Sequence, residues 1–422
     1  MSSIEDLYEL YKRNPRISTD TRKIEPGCIF IALKGDRFNG NQYAEEALNK
    51  GAAFAVIDEP EYNGKDRFLV EDGLKALQDL ARHHRRQLEI PVIGLTGSNG
   101  KTTSKELLRD TLAQKFRVYA TKGNLNNHIG VPLSILEITD EHEMAVIEMG
   151  ANHQKEIEFL CTISMPDFGF ITNFGKAHLE GFGGVKGVIK GKSELYAWLR
   201  NNGGTAFVCS DDKKQMKKSK GIKRITFGER SGDLHIGPQA KDKFVGVLWE
   251  EHSALTKLTG GYNYRNMAYA VLIARHFGVK DEDIVSGLES YNPTLNRSQY
   301  QKGLLNELVV DCYNANPSSM KEAILNLRQF KNPAVILGDM LELGELSGKE
   351  HKKVCKLLQT EGIDQVILVG PLFAACKRPK EFLSFASTDE ALAYIKKHPF
   401  ENRTVLLKGS RGVALERLIP FL

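Results

Sequence analysis

Residues 92–113 constrain the fold of this chain more than any other stretch. An apolar run over residues 92–95 reads as a buried strand. It enters the glycine-rich turn Thr96-Gly-Ser-Asn-Gly-Lys-Thr-Thr103, and residues 104–113 follow as a helical pattern. A strand, a glycine loop and a helix N-terminus in that order form a phosphate cradle. The loop N–H groups point inward, and the helix dipole favours an anion at that end. Thr96, Gly97, Ser98, Asn99, Gly100, Lys101, Thr102 and Thr103 are therefore the expected nucleotide loop. Lys101 offers a cation to the β- and γ-phosphates, and the Thr102 hydroxyl suits Mg²⁺. The spacing departs from G-x-x-x-x-G-K-[ST], whose first glycine would fall on Leu95; the glycines here are Gly94, Gly97 and Gly100.

A chain of 422 residues exceeds one ordinary core, so two to three domains are expected. Residues 1–85 read as a small α/β unit, with strands at 27–33 and 52–57 and helices at 43–48 and 74–88. Residues 86–292 alternate strands with helices, the strands at 92–95, 118–120, 145–149, 168–172 and 206–209. That alternation predicts a doubly wound, mainly parallel sheet whose ligand sits beyond the carboxyl ends of the strands. Residues 293–422 repeat the pattern as a third α/β unit, with strands at 308–311, 334–337, 366–369 and 405–407, and Asn292-Pro293 suits a hinge.

No apolar run approaches the length that spans a bilayer, and the acidic, amphipathic N-terminus is unlike a signal peptide. The six cysteines are scattered without a C-x-x-C pair, which predicts reduced thiols and a cytoplasmic setting. A net charge of +5 is too small to argue for nucleic acid, and it suits an enzyme of phosphorylated, acidic substrates. The lysine-rich run over residues 211–220 reads as a solvated face.

Two residues join the phosphate loop as candidates for metal or phosphate chemistry. Glu148 ends the apolar run 144–147, where a carboxylate can hold Mg²⁺ beside the phosphates. His178, in Thr172-Asn-Phe-Gly-Lys-Ala-His178, falls in the same layer of loops. Lys192 is one of three neighbouring lysines, with Lys186 and Lys190, and composition alone reads it as a solvated face.

The form T-G-S-N-G-K-T-T resembles the ATP loop of the Mur ligases and of their relatives, the folylpolyglutamate and cyanophycin synthetases. These enzymes join an amine to a carboxylate at the expense of ATP. Further segments extend the likeness over essentially the whole chain. They are Ile17-Ser-Thr-Asp-Thr-Arg22, Gly123-Asn-Leu-Asn-Asn-His-Ile-Gly-Val-Pro132, Glu148-Met-Gly-Ala-Asn-His153 and Leu258-Thr-Gly-Gly-Tyr-Asn-Tyr-Arg-Asn-Met-Ala268. Others lie beyond the hinge: Asp311-Cys-Tyr-Asn-Ala-Asn-Pro317, Leu337-Gly-Asp-Met-Leu-Glu-Leu-Gly344 and Lys408-Gly-Ser-Arg411. The chain is similar to the branch that adds D-alanyl-D-alanine, and it lacks the D-N-P-R motif of the preceding ligase.

The resemblance implies three α/β domains: an N-terminal UDP-binding domain, a central ATPase domain and a C-terminal Rossmann-like domain. It implies ATP and two Mg²⁺ ions as cofactors, and UDP-N-acetylmuramoyl-tripeptide and D-alanyl-D-alanine as substrates. It also implies a monomer without integral membrane association, serving cytoplasmic peptidoglycan precursor synthesis. By likeness, Lys192 matches a lysine that CO₂ carbamylates into a metal ligand, so Thr102, Glu148, His178 and Lys192 form the implied metal set. Asn263 and Asn266 match nucleotide-facing amides, although Tyr262 replaces a frequent His. Arg297 matches a phosphate-contacting arginine and Asp311 a ribose-contacting acid. Asp20, Thr21 and Arg22 are expected at the UDP end, Asn124, Asn126 and Asn127 at the peptide, and Lys408 and Arg411 at a peptide carboxylate. Glu342 and Glu345 read as helix-cap or surface acids. Two alternatives stay open: a cyanophycin- or folate-type ligase, against which the first 85 residues argue, and a nucleotide switch without catalysis.

Overall fold

The computed structural model describes residues 3–293 and 296–422. Three parallel-stranded sheets succeed one another along the chain. The first has four parallel strands in the order Ile17–Ser18, Ile29–Ile31, Phe54–Ile57, Arg67–Leu69. The third has six, ordered Gln299–Lys302, Glu307–Val310, Thr404–Lys408, Pro333–Gly338, Gln365–Val369, Leu383–Phe385. Only its first edge strand, Gln299–Lys302, runs antiparallel.

The central sheet carries the site. Its seven parallel strands run Leu234–His235, Lys223–Gly228, Thr205–Cys209, Phe168–Ile171, Val92–Thr96, Met144–Glu148, Val118–Ala120. Val92–Thr96 lies between two strands that follow it in sequence, so the sheet's winding direction reverses there. A crevice opens at such a reversal, and the phosphate loop leaves this strand directly into it. All five residues of Val92–Thr96 and of Met144–Glu148 are buried, as expected for parallel strands covered by helices on both faces.

The helix Gly73–Gln87 joins the first unit to the second. Asp72 caps it by accepting the Lys75 N–H at 2.8 Å. Its far end reaches into the central unit: Gln78 donates to the His128 carbonyl at 3.0 Å, and Arg85 donates to the Ser164 carbonyl at 2.9 Å. Tyr11, from the helix Ile4–Arg13 beside it, donates to the Leu136 carbonyl at 2.6 Å. The loop holding His128 is thus pinned from the first unit.

The α/β architecture and most strands follow the sequence reading. The expected helix at 43–48 begins as the 3-10 turn Gly40–Tyr43 before the helix Ala44–Asn49. A three-stranded antiparallel sheet, Gly237–Lys241, Phe244–Trp249 and His252–Leu255, was not foreseen. Its turns place Asp242 and Glu250 at φ of 52° and 48°, but Asp242 is followed by Lys rather than Gly and Glu250 is no turn former, so the turn signal in the sequence is weak. Among the described residues, no helix is long and apolar enough to cross a membrane.

Candidate active site

A cavity of about 1130 Å³ opens above the phosphate loop. Its wall combines residues 98–103 with the loop carrying Asn124, Asn126 and Asn127, with Glu148 and His178, and with Asn263 and Asn266. From the third unit come Arg297, Asp311, Tyr313, Asn316 and Lys408. Side chains spread over more than 300 residues of sequence therefore face one space.

Two glycines shape the loop. Gly97 has φ of +150°, and a Cβ there would fall 1.9 Å from Thr172 Oγ1. Gly100 has φ of +76°, and a Cβ would meet Asn266 Oδ1 at 2.5 Å. Asn266 holds this close approach in place, accepting from Ser104 Oγ at 3.0 Å and donating to Asn263 Oδ1 at 2.8 Å. Asn263 in turn donates to the Thr259 carbonyl at 2.8 Å. Both amides thus brace the loop at Gly100 from the cavity wall. Ser98 N–H donates to the Asn173 carbonyl at 3.1 Å, Asn99 N–H to Asn173 Oδ1 at 3.2 Å, and Thr172 Oγ1 to the Asn99 carbonyl at 2.6 Å. Thr96 is buried, with an Oγ1 that has no partner; Thr103 is buried at the cavity wall.

Lys101 folds over the loop and donates to the Gly97 carbonyl at 3.0 Å. Desolvation pushes its pKa down, Glu148 opposes the shift and Arg297 adds to it. Glu148 is buried at the end of its strand. Thr102 Oγ1 donates to Glu148 Oε2 at 3.0 Å, and Asn126 Nδ2 donates to Glu148 Oε1 at 2.7 Å. Mg²⁺ takes oxygen ligands, a few from protein and the rest from water and phosphate, and the Thr102 hydroxyl and Glu148 carboxylate beside the phosphate loop are donors of that kind, so the residues present fit the ion.

The other two members of the expected metal set stand apart from this pair. Lys192 is buried behind the cavity wall, donates to the Ala151 carbonyl at 3.2 Å, and has its ammonium 5.1 Å from the Phe182 ring centre. It is not on a solvated face. Burial, then the Lys101 charge, pushes its pKa well below the ordinary lysine range. His178, at φ of 51°, turns Nδ1 toward the Glu342 carboxylate of the third unit, and that contact lowers the Glu342 pKa. Glu342 is therefore an inter-unit partner rather than a cap. Among the described residues, no three His, Cys, Asp or Glu side chains gather into a metal site.

The third unit closes on the loop through contacts the sequence did not reveal. Asn316, the N-cap of the helix Pro317–Asn326, donates to Asn99 Oδ1 at 2.6 Å. Ser318 Oγ accepts the Lys176 N–H at 2.9 Å, and Lys176 Nζ lies 3.4 Å from Glu350. The string Asn-Ala-Asn-Pro317 did carry a signal for the cap, since Asn before Pro at the first helical position is a helix start. Arg297 stacks on Tyr313, with 3.7 Å from guanidinium carbon to ring centre, and its buried Nε lacks a partner. Arg411 approaches the same ring at 5.5 Å but is itself exposed.

Lys408 and Asp311 are not independent ligand contacts here. Lys408 is buried and pairs with Asp311 Oδ2 at 2.5 Å, while Asp311 Oδ1 accepts the Ser298 N–H at 3.2 Å. Tyr262 donates to or accepts from Ser298 Oγ at 2.9 Å in the same cluster. Asp20, Thr21 and Arg22 lie away from the cavity wall. Asp20 caps its own turn, and Arg22 folds back on it, holding the Asp20 carboxyl down to about 2.

Known proteins share this arrangement. Three family models match: "Mur ligase family, catalytic domain" over residues 16–85, "Mur ligase middle domain" over 95–274, and "Mur ligase, glutamate ligase domain" over 296–411. UDP-N-acetylmuramoyl-tripeptide–D-alanyl-D-alanine ligase of Bacillus subtilis is 32% identical, with 96% of this chain and 92% of that protein covered. The Escherichia coli protein of the same name is 33% identical, again over 96% and 92%. Among solved structures, MurF from Acinetobacter baumannii superposes with a TM-score of 0.87 at 32% identity, covering 97% and 96% of the two chains. MurF ligase from Thermotoga maritima in complex with ADP gives 0.85 at 28%, covering 100% and 98%. Sequence, fold and the order of the three units agree from end to end, and the chain belongs to the Mur ligase family.

Proposed function

We propose that this chain is an ATP-dependent ligase that adds D-alanyl-D-alanine to UDP-N-acetylmuramoyl-tripeptide, the last step in making the pentapeptide nucleotide of peptidoglycan in the cytoplasm. The observation that carries this is the single cavity shared by the phosphate loop, the asparagine loop 124–127 and the third unit, in a chain whose relatives of that name match it over 96% of its length. Residues 1–85 would take the UDP end through Asp20, Thr21 and Arg22, residues 86–292 ATP, and residues 293–422 would close the cleft.

The tripeptide carboxylate attacks the ATP γ-phosphate, and ADP leaves. Lys101 and Arg297 stabilise the charge that develops on the transferring group. The resulting acyl phosphate is attacked by the D-alanyl-D-alanine amine, and inorganic phosphate leaves from the tetrahedral adduct. Positioning and electrostatics suffice for both steps, so no side-chain nucleophile is required. Thr102 and Glu148 would hold Mg²⁺, with His178 and a carbamylated Lys192 as the candidates for a second ion. Such ions neutralise phosphate charge and reduce its repulsion of the incoming carboxylate. A buried, neutral Lys192 amine is the form that reacts with CO₂. Asn124 and Asn127 face the cavity and can bond the peptide, while the contacts of Asn316, Ser318 and Glu342 hold the third unit against the loop and exclude water from the acyl phosphate.

The test is ATP-dependent phosphate release with UDP-N-acetylmuramoyl-tripeptide, with and without D-alanyl-D-alanine. Release that needs both, with the pentapeptide nucleotide as product, is expected. Release without an amine acceptor, or none with diaminopimelate- or lysine-containing tripeptide, would overturn the assignment.

A further inference from the structure

Lys105 is buried one helical turn beyond Lys101, at 2% exposure, and no step above uses it. Positions 101 and 105 share one face of the helix Lys101–Leu112; Lys101 turns back onto the Gly97 carbonyl, and Lys105 reaches the end of the Met144–Glu148 strand. The Lys105 ammonium lies 4.0 Å from Glu148 Oε2, the oxygen that also takes the Thr102 hydroxyl. It donates to the Gly123 carbonyl at 3.1 Å, at the start of the loop carrying Asn124, Asn126 and Asn127. Asn126 closes the circuit by donating to the other Glu148 oxygen at 2.7 Å, and Thr121 Oγ1 accepts the Glu148 N–H at 3.0 Å. A helix, a strand end and a loop are thereby tied through one carboxylate and one ammonium.

A lysine in this place is unusual on physical grounds. Burying an ammonium is unfavourable, and its partner is a carboxylate suited to a divalent cation. A methionine would fill the same volume without that penalty. The ammonium therefore has a part that packing alone does not require.

We propose that Lys105 is a positioning residue that couples metal binding to the acceptor loop. It is a resident counter-cation for Glu148, competing with Mg²⁺ for that carboxylate, and its bond to Gly123 holds the asparagine loop in the shape that receives the UDP-linked peptide. The metal half rests on the Glu148 assignment, and the loop half rests on the proposed acceptor. When Mg²⁺ arrives with the nucleotide, Glu148 turns its charge to the ion. Lys105 then leans on the Gly123 carbonyl, so nucleotide loading tightens the loop before the peptide binds.

Lys105→Met tests this with two readouts of opposite sign. The first is calorimetric binding of ADP with EDTA and at saturating Mg²⁺. The factor by which Mg²⁺ tightens ADP binding is expected to rise roughly tenfold in the variant, a modest share of what a unit charge 4.0 Å away exerts at protein dielectrics. The second is KM for UDP-N-acetylmuramoyl-tripeptide, expected to rise roughly tenfold as the loop loses its tether, about what the loss of one charge-assisted hydrogen bond gives. Lys105→Arg should return both values toward wild type. A residue that merely supports the fold would weaken both, so an unchanged or smaller Mg²⁺ factor overturns the counter-cation role, and an unchanged KM overturns the loop role. The ADP titration needs no acceptor, so failure of wild-type turnover would count against the proposed function and leave the metal arm readable. Should Lys105→Met not fold, Lys105→Gln keeps a polar end in the pocket and carries the same measurements.

Discussion

Lys192→Met should make the protein more stable and at the same time inactive. The native ammonium is fully buried, with one carbonyl at 3.2 Å and an aromatic face as its neighbours. Replacing a buried, incompletely hydrogen-bonded polar group by an apolar one of similar volume removes a desolvation cost of about 1–3 kcal/mol. The pH dependence follows from linkage. The unfolded lysine titrates near about 10.4, and the folded one well below, because burial and the Lys101 charge disfavour the cation. Between those two values the unfolded chain binds the extra proton, so wild-type stability rises with pH, by at most about 1.4 kcal/mol per pH unit for one group. The methionine variant lacks that slope, so its advantage should be largest near neutral pH and shrink toward pH 10. Urea unfolding of both proteins in CO₂-free buffer from pH 7 to pH 9.5 measures this directly. Phosphate release should be lost in the variant, and ¹³CO₂ should give a carbamate resonance in wild type only. A variant less stable than wild type, with a difference that does not change with pH, would mean that Lys192 is a charged structural lysine and would refute the reasoning.

Three further outcomes follow from the same geometry. Lys101→Ala should lower phosphate release by roughly 10²–10³, the usual effect of deleting one preorganised charge at a reacting centre, with the thermal transition retained; near-normal turnover would remove the phosphate role. Glu342→Gln should raise KM for ATP about threefold while kcat holds, because it weakens a half-exposed contact between His178 and the third unit; a fall in kcat alone would place Glu342 in the chemistry instead. Lys408→Met should destabilise the chain by about 3 kcal/mol in denaturant unfolding, since it leaves Asp311 largely enclosed without its cation; a neutral effect would return Lys408 to the role of a free peptide contact.

The parts legible in the sequence were those written by local chemistry. Apolar runs bounded by turn residues marked the parallel strands, and the Gly97, Gly100, Lys101, Thr102 pattern marked the loop, because each residue there answers a backbone or charge requirement of its immediate neighbours. Glu148 was legible for the same reason, as a carboxylate ending an apolar strand. What stayed hidden depends on contacts over long sequence separations. Nothing near Lys408 says that it pairs with Asp311, 97 residues away, and nothing near Glu342 says that it meets His178. Lys192 shows the limit most plainly: three lysines within seven residues look alike, yet Lys186 and Lys190 are exposed and Lys192 is buried. Only the family resemblance singled it out. Asp242 and Glu250 occupy left-handed turn positions that glycine usually announces, so the small antiparallel sheet carries little local signal.

Two cations that line the cleft make few bonds to the protein. Thr96 Oγ1 and Arg297 Nε are buried without partners, and Lys101 is turned back onto a carbonyl of its own loop. Buried polar groups are normally satisfied, because each unmet donor or acceptor costs about 1–3 kcal/mol. Arg297 and Lys101 both line the cavity, and the guanidinium and the ammonium are donors only. Phosphate oxygens are acceptors only, so an arriving triphosphate would satisfy both. The asparagines beside the loop show the converse: Asn263 and Asn266 are bonded to protein and hold Gly100 in its left-handed turn. The fixed groups therefore shape the cradle around Gly100. The third unit contributes both a bonded group, Asn316 against Asn99, and an unmet one, Arg297 on Tyr313. Arg297 belongs to the third unit and faces the phosphate loop across the cavity, so we expect docking of that unit and satisfaction of the phosphates to go together. ATP binding should then stabilise the joint between the second and third units more than either unit alone, which hydrogen exchange over residues 173–182 and 311–319 would register as protection gained on adding nucleotide.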